Sequence, residues 1–163
     1  MTYRTSLDGL AKVVSTVVAL IFIGIVVIQY SIIKGEGWAV SICTTVAFFL
    51  IYFLAFSLRP ISYKLTADEL IIHRLFSDKR IERQQIMSVE LIDKDNIGWA
   101  IRIFGSGGLF GYYGTFSSTK LGSMTWYATR RDRTILVKTN GLKKIILTPD
   151  DPELFVVDFY AEY

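Results

Sequence analysis

VVSTVVALIFIGIVVIQYSII (Val13–Ile33) and WAVSICTTVAFFLIYFLAFSL (Trp38–Leu58) are two 21-residue runs without a charged side chain. At about 1.5 Å per residue, each spans about 31 Å as a helix, which matches the hydrocarbon core of a bilayer. Only Lys34-Gly35-Glu36-Gly37 separates them, so the chain is expected to carry a transmembrane helical hairpin. A signal peptide needs a shorter apolar core and a small-x-small cleavage site, and the first run has neither. Pro60 has no amide hydrogen to give and disfavours helix in the residue before it. It closes the second span.

Outside these runs lie 121 residues, about 42% hydrophobic, with all 33 charged side chains, a balance normal for a globular domain. The expected division is residues 1–58, holding the spans 13–33 and 38–58, and residues 59–163, one domain with one core. A disordered chain, a disulfide scaffold and a fully soluble enzyme are excluded by this distribution. Arg4 and Lys12 precede the first span, Arg59 and Lys64 follow the second, and Lys34 alone lies between. The excess of basic residues predicts both termini in the cytoplasm. Cys43 is the only cysteine, so no internal disulfide or zinc site can form, and it reads as a packing residue. Gln29 faces Ser41, Thr44 and Thr45 in depth, which predicts an interhelical hydrogen bond. With no Asp, Glu, Lys, Arg or His in either span, a channel or pump as a monomer is disfavoured.

The domain reads as short strands with turn punctuation. Ser62–Leu65 and Leu70–Phe76 flank a four-residue loop. Lys79–Arg83, Met87–Ile92 and Gly98–Phe104 follow, the last alternating with Trp99, Ile101 and Ile103 on one face. After a glycine-rich loop come Met124–Thr129, Thr134–Thr139 and Lys143–Leu147, the last two joined by Asn140-Gly141, the composition of a type I′ hairpin turn. Thr148-Pro149-Asp150-Asp151 supplies a cap, a first-turn proline and carboxylates for a closing helix. Phe155, Val156, Phe159, Tyr160 and Tyr163 share one face of that helix and read as its packing stripe, with Glu162 elsewhere.

The expected class is therefore α+β: a transmembrane helical hairpin, then a partial β-barrel of about seven strands with a C-terminal capping helix. GSGGLFGYYGTF from Gly105, MTWYATRRDRTILVKTNG from Met124 and ILTPDDPELF from Ile146 resemble the bacterial PH-like (pleckstrin-homology-like) domain family, in its membrane-anchored form with two transmembrane helices. The resemblance implies a PH-like fold in a membrane-associated setting. Eukaryotic PH domains that bind phosphoinositides use a Lys followed by a Lys/Arg-x-Arg group. Lys64 and Arg74 fit that pattern, but Ile72 stands where a base is needed, so inositol-lipid recognition is not expected.

Three clusters are candidate sites. Gly105–Gly114 is neither a dinucleotide fingerprint, because Phe110 takes the sixth position, nor a P-loop, because Thr115-Phe116 replaces Gly-Lys-Ser/Thr. Two readings stay open for it: a sharp excursion between strands that glycine makes feasible, or a partner-docking loop built from Leu109, Phe110, Tyr112, Tyr113 and Phe116. Arg130, Arg131 and Arg133 sit at a hairpin tip, either a solvated turn or an anion-binding site. Arg74, Lys79, Arg80 and Arg83 surround the turn Ser77–Arg80, which returns toward the inner leaflet, and are candidate anionic-lipid contacts.

Catalysis has little material. His73 is the only histidine, so a Ser-His-Asp, Cys-His or zinc site lacks partners. Asp93 with Asp95, and Asp150 with Asp151, read as turn and cap residues. The domain's net charge of +2, from 15 basic and 13 acidic residues, argues against nucleic acid. The expectation is a non-catalytic interaction module, integral to the bilayer, without cofactor or metal, presenting a β-rich domain to a protein or peptide partner. Two alternatives remain: a self-assembling or scaffolding subunit that forms a homo-oligomer, and a nucleotide- or other ligand-binding domain using the glycine loop.

Overall fold

The two charge-free runs form long helices in the computed structural model, which describes residues 1–32 and 38–161. Strand β1 (Thr2–Arg4) comes first, then α1 (Gly9–Ile32) and α2 (Trp38–Leu58). Both helices are long and apolar enough to cross a membrane, with mean hydropathy 2.6 and 2.3. The expected end of the first span at Ile33, the loop 34–37, Glu162 and Tyr163 lie outside the described residues.

Phe22 stacks on Phe48 between the two helices, centroids 4.4 Å apart, and Tyr52 Oη donates to the Ser15 carbonyl at 3.3 Å. Among the described residues the expected hydrogen bond from Gln29 across the pair is not made, and Gln29 Oε1 and Ser41 Oγ have no partner. Thr44 and Thr45 donate instead to the Val40 and Ser41 carbonyls, one turn back on their own helix. A hydroxyl in an apolar helix finds this acceptor without ordering a second helix.

After α2 the chain runs β2 (Ser62–Leu65), β3 (Glu69–His73), β4 (Lys79–Glu82), β5 (Ile86–Ile92), the short α3 (Lys94–Ile97), β6 (Ala100–Gly108), β7 (Gly111–Ser118), β8 (Gly122–Ala128), β9 (Thr134–Thr139), β10 (Lys144–Leu147) and α4 (Pro152–Ala161). The strands form a four-stranded sheet ordered β1-β2-β3-β4 and a six-stranded sheet ordered β5-β9-β10-β8-β7-β6. The described strands do not close into a barrel. Two of the ten strands among the described residues have no counterpart in the sequence reading. One is β7, inside the glycine-rich segment. The other is β1, which precedes the helices yet pairs with β2, Tyr3 opposite Tyr63. The folded sheet thus reaches across the expected boundary at residue 59, and the segments flanking the helix pair lie on the same side of it.

Core packing explains the order of the strands. Tyr3, Tyr63, Leu70, Ile72, Val89, Ile135, Val137, Phe155 and Phe159 form one buried cluster between the sheets and α4. Leu136 and Ile146 face the opposite side of the six-stranded sheet, with Tyr112, Phe116, Trp126, Ala11 of α1 and Ile97 of α3. Burial on both faces accounts for the uninterrupted apolar runs Ile135-Leu136-Val137 and Ile145-Ile146-Leu147. The helix α4 starts at Pro152 rather than Pro149. Asp150 instead accepts hydrogen bonds from Ser6 N and Oγ, fastening the segment before α1.

The β9–β10 hairpin forms where Asn140-Gly141 predicts it, but through a three-residue loop. Leu142 N donates to the Thr139 carbonyl and Thr139 N to the Lys143 carbonyl. The left-handed residue is therefore Leu142, at φ +57, and not Gly141. A turn followed by one left-handed residue is the next commonest hairpin after the two-residue form.

Tyr3 is 7% exposed and packs edge-on against Phe155 at 4.8 Å. Replacing Tyr3 with Ala should lower the unfolding free energy of the full chain by about 3 kcal/mol, read from denaturant or thermal unfolding in detergent. A change below about 0.5 kcal/mol would make β1 an accessory to the sheet.

Candidate functional site

Hairpin β6–β7 carries the glycine-rich segment to the helix pair. Gly105 and Gly114 face each other in register, at φ +108 and +115. A Cβ on either would lie about 2 Å from the carbonyl oxygen of Tyr113 or Phe104. Only glycine permits this close bend. Beyond it the hairpin narrows to the turn Leu109-Phe110, where Phe110 adopts φ +56, a left-handed conformation costly for a bulky residue.

Tertiary contacts hold that strained turn. The Phe110 ring meets Tyr52 at 4.7 Å and Phe56 at 5.3 Å, both edge-on. Its amide donates to Ser15 Oγ at 2.9 Å, while Ser15 Oγ donates to the Ala11 carbonyl. Tyr113 Oη donates to the Ala55 carbonyl at 2.5 Å, and a Cβ on Gly108 would touch Val14. Burial pushes both the Tyr112 and Tyr113 hydroxyls up to about 12, Asp8 adding to the effect at Tyr112, and the Ser106 hydrogen bond and Arg59 opposing it at Tyr113. Both remain neutral donors at ordinary pH.

Four of the five residues of the expected docking loop are thus placed inside the molecule. Phe110, Tyr112, Tyr113 and Phe116 are buried and Leu109 is half-buried; their apolar surface is spent on the chain's own helices and sheet. Sequence reading identified the aromatic segment but not its counterparts, Ser15, Tyr52 and Phe56. Those sit in spans whose composition gives every position the same apolar look.

The basic residues separate into three situations. Arg83 is 4% exposed, lies over the Phe159 ring at 4.3 Å and donates to the Phe159 carbonyl. It braces α4 and falls outside the expected lipid-contact cluster, because it follows β4 at the end remote from the turn 74–78. Arg74 braces that turn through Ser77 O and Oγ, and Arg80 pairs with Glu69 at 3.5 Å. Lys79, exposed, has no ion pair among the described residues. The turn itself rests on α2. Leu75 N donates to the Ser57 carbonyl at 3.3 Å, and the Phe76 ring meets Phe53 at 5.8 Å. His73 pairs with Asp78 at its base.

At the second hairpin tip, Arg130 binds Asp132 at 2.8 Å and reaches Asp150 at 3.6 Å, and Arg133 pairs with Glu153 at 3.3 Å. Arg131 instead lies over the Tyr112 ring at 4.6 Å. The described residues hold no group of three or more His, Cys, Asp or Glu placed to bind a metal ion.

Two sheets, a C-terminal helix lying against the buried cluster and a preceding apolar helix pair define the domain's layout. Residues 61–161 match a family model described as Bacterial PH domain. The chain belongs to that family. No curated protein and no solved structure matches it. The match opens after α2, so the bacterial PH domain here is completed by a strand, β1, from outside the matched residues.

An apolar surface is left uncovered at the sheet edge of this bacterial PH domain. The edge strand β6 exposes Ile101, Ile103 and Phe104, and Trp99 precedes it; these side chains are 61–78% exposed. A bulge at Ile103, between Arg102 and Phe104, breaks the alternation that would have turned every second side chain inward.

Replacing Phe110 with Ala should cost about 3 kcal/mol in detergent-solubilised chain, and Leu109 with Ala less than about 1 kcal/mol. Equal effects at the two positions would show that the ring is not seated between the helices.

Proposed function

We propose that this bacterial PH domain protein is a membrane-anchored, non-catalytic interaction module held at the inner face of the cytoplasmic membrane, with both chain ends in the cytoplasm. The excess of basic residues outside the helix connection supports that orientation. The observation that carries the reading is the fastening of the domain to its anchor. Strand β1, the Phe110 contact and the Leu75 hydrogen bond tie it to both helices. A domain so held presents one constant face to other membrane proteins and has its effective concentration raised by confinement.

With the glycine hairpin occupied by the helices, the surface offered to a protein or peptide partner is the β6 edge. It combines unpaired backbone groups with large exposed apolar side chains, the material of strand addition. The bilayer is the second partner. Phe76, 73% exposed beside Phe53, enters the acyl region, and Lys79 meets anionic head groups, Arg74 and Arg80 contributing from the same turn.

A photo-cross-linking phenylalanine analogue at Phe104, activated in intact membranes, should give one discrete adduct with a second protein. The adduct should disappear when Ile101 and Ile103 are both replaced by Ser. The same analogue at Leu142, 88% exposed but away from this strand, should give none. Adducts containing only further copies of the chain would favour a self-assembling subunit. Absence of any discrete adduct would contradict docking at this edge.

A further inference from the structure

The outer face of the six-stranded sheet holds a cavity of about 440 Å³, a size typical of small-molecule sites. Its walls are Trp99, Phe116 and Trp126, with Ile97 of α3 beside them and Lys94 and Arg131 among its lining residues. Gly98 sets this arrangement. At φ +73, with a Cβ position only 2.8 Å from Thr119 Oγ1, it makes the turn from α3 into β6 that leaves Trp99 75% exposed.

Three observations point to the kind of ligand. The walls are aromatic and aliphatic, suited to a flat or acyl body. Trp126 is 4% exposed and its buried Nε1 has no acceptor among the described residues, a rare condition for a buried donor in a settled core. The lining described includes two cations and no carboxylate. Neighbouring Arg130 and Arg133 are neutralised by Asp132, Asp150 and Glu153, whereas Lys94 and Arg131 have no ion pair among the described residues. Asp93, Asp95 and Asp132 line an adjoining hollow that shares Lys94 with this one, so Arg131 is the cation that faces the cavity without a neighbouring carboxylate in its lining. Stacking on Tyr112 holds the Arg131 guanidinium in place, ready for a bidentate contact with an oxyanion.

We propose that this cavity binds a small amphipathic anion: a flat aromatic or acyl body against Trp99, Phe116 and Trp126, with one carboxylate or phosphate held by Arg131 and Lys94. The site adjoins the β6 surface assigned to a protein partner at Trp99 and Ala100 and does not depend on that assignment. Such a ligand has two sources, a soluble aryl carboxylate or a single-chain anionic lipid leaving the adjacent bilayer.

The chain has three tryptophans, Trp38, Trp99 and Trp126, so 5-fluorotryptophan labelling gives three resolvable ¹⁹F signals. The test uses the full chain in phosphatidylcholine nanodiscs, titrated with 2-naphthoate in one arm and with oleoyl lysophosphatidate in the other. The Trp99 and Trp126 signals should shift saturably in at least one arm while Trp38, in α2, stays fixed. Saturation by naphthoate alone identifies a soluble ligand, and by lysophosphatidate alone a bilayer one. Replacing Lys94 and Arg131 together by Gln should weaken binding at least tenfold while leaving the Trp38 signal in place and three resolved ligand-free signals, the mark of a folded chain. On the unaltered chain, 2-naphthamide should bind at least tenfold more weakly than any naphthoate that binds. The proposal is overturned if neither ligand moves Trp99 and Trp126 saturably, if all three signals drift together, or if removing the charge from protein or ligand leaves affinity unchanged.

Discussion

Phe110 holds a left-handed backbone that its own side chain disfavours, and it does so because its ring and amide are gripped by two helices. Tyr52, Phe56 and Ser15 supply that grip. The strain of about 1 kcal/mol or more at such a residue is outweighed by burying a large ring, typically about 3 kcal/mol. This contact and the pairing of β1 with β2 are the main ties between the domain and the helix pair. The first joins the hairpin tip to the domain-side ends of both helices. The second ties those same ends together, since one sheet receives the segment that enters the helix pair and the one that leaves it.

The consequence is a change in what the glycine-rich segment is for. Its glycines have a structural role: paired across the hairpin at Gly105 and Gly114, they let two strands bend together at a spacing no Cβ allows. Its aromatic residues face the chain's own helices and core. The surface left for other molecules lies elsewhere, on β6 and in the cavity beside Trp99 and Trp126.

The helix pair was legible because hydropathy is a local, one-residue property summed over a run, and Pro60 marks its end. Most strands were legible for the same reason, from alternation and turn residues. What escaped were non-local facts. Strand β1 is three residues long and gains its identity only from Tyr63, sixty positions away. Strand β7 hides in glycines that resemble a loop because strand propensity says nothing of paired glycine bends. Arg83 reads as one more surface base next to Lys79 and Arg80, yet folding puts it under α4, against Phe159. Charge is visible in a sequence, but its burial is not. The same holds for the candidate sites: the residue types were identified, while their division into internal braces and free cations needed the partners Asp132, Glu69 and Glu153.

The central claim is that domain and helices form one body. Spin labels at Leu142→Cys, on the β9–β10 loop, and Val40→Cys, near the remote end of α2, in a Cys43→Ser background test it by electron–electron distance measurement in bilayers. Both label positions are exposed. One narrow distance distribution is the result this account predicts, broadening when Phe110 is replaced by Ala. A broad distribution in the chain with Phe110 intact would contradict it, showing a domain tethered to its anchor and not fastened to it.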